Sequence, residues 1–283
     1  MRQLAIPALA AASLLAASSA LAQEEPAVQR RLPVPFVDRP LTDPKGTLGI
    51  GIGGSVSALR SLLTDQAPAA SIYTSASVGS SYAFTDDFNI SARLVGFDIT
   101  PRFRAYLPDV GVTQRLIRGP FQLGLSGSVA PAVALTDAVG APVRSESIAF
   151  AASIPMRVYA EHAFKLFFSP RIGFDVPLAH RTVNDLTAVS LSFPLSMFVR
   201  VIDPLSIGLG TGIYIPRLDR TKETTTIPAS LTMAITVPGR RGPILDIVPS
   251  FGFPYLFTPA SPVHKVNGDM WSAGLAFNGY VYL

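Results

Sequence analysis

From Leu48 to Leu283 the chain repeats a two-residue alternation that restarts about every 20 residues. One copy reads Leu166, Phe168, Pro170, Ile172, Phe174 and Val176 on one face, and Lys165, Phe167, Ser169, Arg171, Gly173 and Asp175 on the other. Side chains of a strand point alternately to its two faces, so such a segment has one apolar and one mixed polar face. A chain built almost wholly of these segments has no helices with which to cover its apolar faces. The set Val189, Leu191, Phe193, Leu195, Met197 and Val199 is one of many, too many for the core between two sheets.

A bilayer covers such faces, provided that the strands close into a barrel and leave no unpaired edge. Other membrane architectures do not fit. Mean hydropathy is positive, +0.37, yet after Leu21 no run of 18 apolar residues occurs, which excludes helical spans. The expectation is an all-β, antiparallel transmembrane β-barrel.

Residues 1–22 read as a signal peptide. Arg2 gives the positive start, Leu4–Leu15 the apolar stretch, and Ala20-Leu21-Ala22 a small-x-small cleavage site before Gln23. No cysteine occurs, so neither disulfides nor a lipid-modified cysteine can serve. Residues 23–45 hold Pro26, Pro33, Pro35, Pro40 and Pro44 among charged residues. That density resists helix and sheet alike. The segment is expected to be a proline-rich N-terminal tail, with a plug folded into the lumen as the sharper alternative. The barrel then occupies 46–283.

Twelve strands are expected: 47–58, 71–84, 88–95, 97–107, 120–135, 145–160, 164–178, 187–201, 205–217, 225–238, 244–257 and 270–283, with ten as the fallback. Links after even strands should be short, because both termini of such a barrel share one end. Here 108–119 breaks the rule. Prolines 101, 131, 155, 170, 194, 249 and 254 fall inside strands, where each removes a ladder donor. Bulges or missing bonds are expected there. Strand breaks at these prolines would instead suggest a soluble sandwich.

The C-terminus resembles that of the bacterial outer-membrane β-barrel class, which ends in an alternating apolar strand closed by an aromatic residue. The matching positions are Leu275, Phe277, Val281 and Leu283. The chain departs from the pattern in its final Leu and in Gly279, and Tyr280 and Tyr282 lie on the other face. The resemblance implies a Gram-negative outer-membrane location, surrounding lipid and recognition by the barrel-assembly machinery. It carries over no functional residue. Trp271, Tyr255, Phe257, Phe84 and Phe88, near strand ends, suit an interfacial aromatic girdle.

With the apolar faces toward lipid, the inward set is small: Gly49, Gly51, Gly53 and Ser55; Ser75, Ser77 and Gly79; Gly124, Ser126 and Ser128; Ser190, Ser192 and Ser196; Gly208, Gly210 and Gly212. Small inward residues leave room for water or a ligand, unless a loop or the N-terminal segment fills it. Inward charges lean basic: Arg93, Arg102, Arg104, Arg157, Lys165, Arg171, Arg200 and Arg217 against Asp98, Asp175 and Asp246. Rings of Arg and Lys favour anions. The alternative is structural Arg–Asp pairing, for instance Arg171 with Asp175. The candidate solute-contacting set is Arg93, Asp98, Arg102, Arg104, Arg157, Lys165, Arg171, Asp175 and Arg200.

Function is then expected to be porin-like passage or binding of a small, anion-preferred solute. A closed structural or adhesion barrel is the alternative, and a lipid-modifying enzyme the remote one. The histidines, His162, His180 and His264, all fall in turns or loops, with no Ser placed beside one. No metal spacing such as H-E-x-x-H appears. Gly49–Gly54 looks like a phosphate loop but sits in an alternating strand. No cofactor is implied. The net charge of +4 without clustered Lys/Arg gives no nucleic-acid signature.

Overall fold

The computed structural model describes residues 32–59, 71–100, 104–106, 108–132, 134–137, 147–160, 163–177, 187–221, 225–240, 242–258 and 268–283. They form twelve antiparallel strands. These are β1 (Thr47–Leu59), β2 (Ser71–Thr85), β3 (Phe88–Thr100), β4 (Arg104–Tyr106 and Asp109–Ile117), β5 (Phe121–Ala132 and Ala134–Asp137) and β6 (Ser147–Ser153 and Met156–Ala160). There follow β7 (Phe164–Phe168 and Arg171–Pro177), β8 (Ala188–Ile202), β9 (Leu205–Ile215), β10 (Ile227–Gly239), β11 (Gly242–Phe257) and β12 (Trp271–Tyr282). Each strand pairs with its chain neighbours. The sheet closes on itself where β1 pairs β12, from Thr47 opposite Tyr282 to Ala58 opposite Trp271. Closure leaves no edge, and the sandwich alternative falls away.

Ile50, Ile52, Leu209, Leu231 and Phe277 are exposed on the outside. In water such a surface would drive aggregation; in hydrocarbon it is at home.

The twelve-strand expectation holds, but two of its boundaries do not. β3 passes straight through Gly96, which pairs with Ser77 on one side and Tyr106 on the other. Residues 109–117, expected as a connection, are the long part of β4. Val110, Val112 and Leu116 face outward there, while the hydroxyls of Thr113 and Ser126 share a 2.8 Å hydrogen bond on the inward side. Of the residues that suggested a loop, Pro108 and Gly111 lie within the span of β4; only Gly119, with φ +108°, and Pro120 belong to the tight turn, 118–120. With this correction every link after an even strand is short: 86–87, 118–120, 161–163, 203–204 and 240–241. Links at the far end are longer, apart from 101–103.

The in-strand prolines act in three ways. At Pro155 and Pro170 the ladder lapses but the register does not, since β6 and β7 keep the same alignment on both sides of the gap. Their carbonyls still accept, from Gly124 N at 2.9 Å and Ile154 N at 3.0 Å. At Pro254 the register slips between the Ile227 and Ala229 pairings, a bulge in β11. Pro131 and Pro249 sit in the ladder without a shift, opposite Ile148 and Leu275. Pro194 stands opposite Gly212, whose φ of +152° only glycine adopts readily. Pro101 lies outside the described residues.

Candidate functional site

The inward wall of β1–β3 and β12 is lined largely by small groups, glycine, serine and alanine, with Arg93, Asn278 and Tyr280 among them. The small groups make their contacts within the sheet. A Cβ at Gly49 would lie 2.6 Å from Ser81 Oγ, and one at Gly210 would crowd Ser230 Oγ in the same way. Glycine beside serine lets each hydroxyl lie flat on the wall. A cavity of about 490 Å³ remains, lined among others by Gly51, Gly53, Ser77, Ser91, Asn278 and Tyr280. Arg93 and Asp109 project into it as an ion pair of 2.7 Å. Asp43 borders it from the short-turn end.

The described part of the proline-rich segment, residues 32–45, is not a free tail. It folds into the lumen at the short-turn end and is called the plug below. Val37 is wholly buried, and Leu32, Arg39 and Thr42 are buried too. A single 3-10 turn, Phe36–Asp38, is its regular part. Proline helps rather than hinders here. Pro33, Pro35, Pro40 and Pro44 carry no N–H, so the segment brings fewer donors that burial must satisfy.

The wall supplies the remaining partners. Lys165 Nζ of β7 donates to Phe36 O at 2.8 Å and lies 3.9 Å above the Phe36 ring. Arg157 Nη1 and the Tyr159 hydroxyl of β6 both donate to Arg39 O. Gln122 Oε1 of β5 accepts from Leu41 N at 2.7 Å. Thr42 Oγ1 donates to Asp86 O at 2.6 Å, and Lys45 N to Asp86 Oδ1 at 2.8 Å. The Phe198 ring of β8 packs against Phe36 with centroids 5.1 Å apart. Phe198 can do so because Gly208 leaves it room: a Cβ there would overlap the ring.

The strongest fastening is the Arg39 guanidinium. It forms a two-point ion pair with Asp246 of β11, which is fully buried. It also donates to Thr236 Oγ1 at 3.0 Å, Tyr280 Oη at 3.1 Å and Pro33 O at 3.2 Å. Thr236 and Tyr280 donate in turn to Asp246, at 2.8 and 2.7 Å. A buried carboxylate with one bidentate partner and two hydroxyl donors is fully satisfied. Burial opposes the Arg39 charge, and Asp246 more than offsets this, holding the guanidinium above its ordinary pKa. Asp43 is in the opposite situation. Burial pushes its carboxyl up, and Arg39 and Arg157 only partly counter it. At the turn below, burial of Asp87 is outweighed by hydrogen bonds from Arg118 and Arg115, which hold its carboxyl below the usual range.

The candidate residues thus divide. Arg157, Lys165 and Arg200 surround the plug, with Arg200 3.6 Å from Asp38. Arg93 faces the cavity. Asp98 and Arg104 stand opposite each other in the β3–β4 ladder. Arg171 and Asp175 occupy inward positions of β7, exposed, and form no ion pair with each other among the described residues. Arg217 pairs with Asp219 at 2.9 Å beyond the end of β9. Arg102 and the three histidines lie outside the described residues. Sequence reasoning missed Arg39, Asp43, Gln122, Tyr159 and Thr236; it placed Asp246 and Tyr280 on the inward face but gave neither a role.

No family model matches the sequence, and no curated protein aligns with it. Solved structures do. The NanC porin superimposes with a TM-score of 0.55 at 7% identity, over 82% of this chain and 100% of that one. The COG4313 outer membrane channel from Pseudomonas putida F1 gives 0.55 at 10% identity, over 92% and 100%. At these identities the likeness is one of fold: the chain has the architecture of bacterial outer-membrane β-barrel proteins.

Proposed function

We propose that the chain is an outer-membrane channel for small solutes, with a preference for anions, and that the plug closes its periplasmic end in the state described. In barrels of this architecture the short-turn end faces the periplasm. The observation that carries the reading is the lumen itself. Its wall is glycine and serine, and it retains a cavity of about 490 Å³ beside the plug rather than a filled core. Anion preference is supported by the inward cations Arg93, Arg157, Lys165 and Arg200. The two superimposed structures bear the names of a porin and of a channel.

The plug favours a second reading, a closed barrel with a structural or adhesive role, because its fastenings are buried and satisfied. Single-channel recording of the refolded protein in a planar bilayer under a salt gradient separates the two. Discrete openings with an anion-biased reversal potential support the channel. A silent, correctly folded barrel, folded by heat-modifiable gel migration, supports the closed one.

A further inference from the structure

Around the plug the wall is electrically lopsided. On β11 lies the carboxylate Asp246, which takes the Arg39 side chain. On β6, β7 and β8 lie three cations on consecutive strands, Arg157, Lys165 and Arg200. Among the described residues no carboxylate lies within ion-pair distance of Arg157 or Lys165. Lys165 is buried and Arg157 half-buried, and their hydrogen-bond and ring partners are neutral: the carbonyls of Arg39 and Phe36, the Tyr159 hydroxyl and aromatic rings. The Arg157 Nε atom is buried and has no hydrogen-bond partner among the described residues. Arg200 is served by Asp38 of the plug and the exposed Asp203, at 3.6 and 3.4 Å.

A backbone carbonyl offers a cation only a partial charge. A carboxylate or phosphate offers a full charge and several oxygens, and its bonds to Arg or Lys are about twice as strong as neutral ones. The plug's carbonyls therefore hold places where an oxyanion would match the donors better, and a full set of donors on Arg157 would then be used.

We propose that the Arg157–Lys165–Arg200 face is a binding site for a small multivalent oxyanion, a polycarboxylate or phosphate, and that the plug is its resident competitor. An arriving oxyanion takes Arg157 and Lys165 from Arg39 O and Phe36 O, and the plug leaves its seat. The inference rests on the channel reading of the barrel for its purpose, but the exchange itself can be observed without conduction.

Val37 is wholly buried in the seated plug, and the chain has no cysteine. In the full-length Val37→Cys protein the rate of maleimide labelling reports plug release. Citrate and inorganic phosphate are titrated separately at constant ionic strength, with chloride as the balance. The expected result is a saturable rise in labelling of at least about tenfold with one or both. Adding Lys165→Met should raise the basal rate and flatten the oxyanion response, and adding Arg157→Gln should do the same. An unchanged rate with both anions in a folded barrel overturns the proposal, as does a full response in the Lys165→Met and Arg157→Gln backgrounds. Conductance is recorded on the same samples. Anion-dependent labelling in a barrel that never conducts retains the site and rejects the channel; conduction without anion-dependent labelling does the reverse.

Discussion

Arg39→Ala should unseat the plug. In the docked wild type the Asp246 carboxylate is fully buried and paired. The variant leaves it buried with only the Thr236 and Tyr280 hydroxyls as donors. Removing one partner of a buried ion pair costs about 3–5 kcal/mol, and the surviving hydroxyl bonds argue for the lower end, about 3 kcal/mol. The penalty falls on the docked state alone, because with the plug out Asp246 is hydrated in both proteins. At about 1.4 kcal/mol per decade, the docking constant drops about 100-fold. Hydrogen exchange reads this directly. The Leu41 amide is held by Gln122 only when the plug is seated, so its exchange should accelerate about 100-fold while amides of β1 and β12 keep their protection. Asp246→Asn should have a similar effect by stranding the Arg39 cation. The double variant Arg39→Ala/Asp246→Asn should cost clearly less than the two single effects added, with a coupling of about 2 kcal/mol. Additive effects, or wild-type Leu41 protection in Arg39→Ala, would show that this ion pair does not hold the plug.

Three further outcomes follow from the geometry. Because burial raises the Asp43 carboxyl pKa in the folded state, its contribution favours docking below the unfolded value, near 3.9, and is lost as pH rises through the raised one; Leu41 protection should fall over that window, and Asp43→Asn should abolish the fall. Asp87 has the opposite sign: its stabilisation is present above the unfolded pKa and lost as pH falls through the depressed one, so Asp87→Asn should flatten the acid limb of a denaturant-midpoint series between about pH 5 and pH 2. Gly208→Ala places a methyl against the Phe198 ring, and should lower stability or plug docking by about 1–3 kcal/mol; Ser206→Ala on the same strand serves as the comparison in urea titration, with a smaller loss expected because the buried Ser206 hydroxyl has no hydrogen-bond partner among the described residues.

Much of the architecture was legible because a half-buried strand and a lipid-facing strand obey the same two-residue rule. The alternation in 164–177 and 188–202 placed those faces correctly, and lipid rather than core was indicated by their number. The boundary error at 96–119 arose because Gly96, Gly111 and Gly119 look alike in sequence. Only Gly119 has a backbone that demands glycine; Gly111 is small because Ser91 Oγ lies 3.0 Å from where its Cβ would be. The plug was not legible as such. Proline density says that a segment avoids helix and sheet, but it does not say where the segment docks. A signal was nonetheless present. Inward charges cluster at the short-turn ends of β6, β7, β8 and β11, and a lumen wall with Arg157, Lys165 and Asp246 on it needs charged partners that it does not itself supply. The segment 32–45 carries Asp38, Arg39 and Asp43.

The fastenings of the plug reach wall residues far along the chain. Arg39 is 207 residues from Asp246 and 241 from Tyr280, Lys165 is 129 from Phe36, and Gln122 is 81 from Leu41. Contacts of that separation cannot form until their strands are in place. Seating of the segment synthesised before every strand therefore waits on strands synthesised long after it. Once seated, the plug acts as a hub whose spokes run to β5, β6, β7, β8, β10, β11 and β12, bracing from within a wall whose own ladder lapses at Pro155 and Pro170.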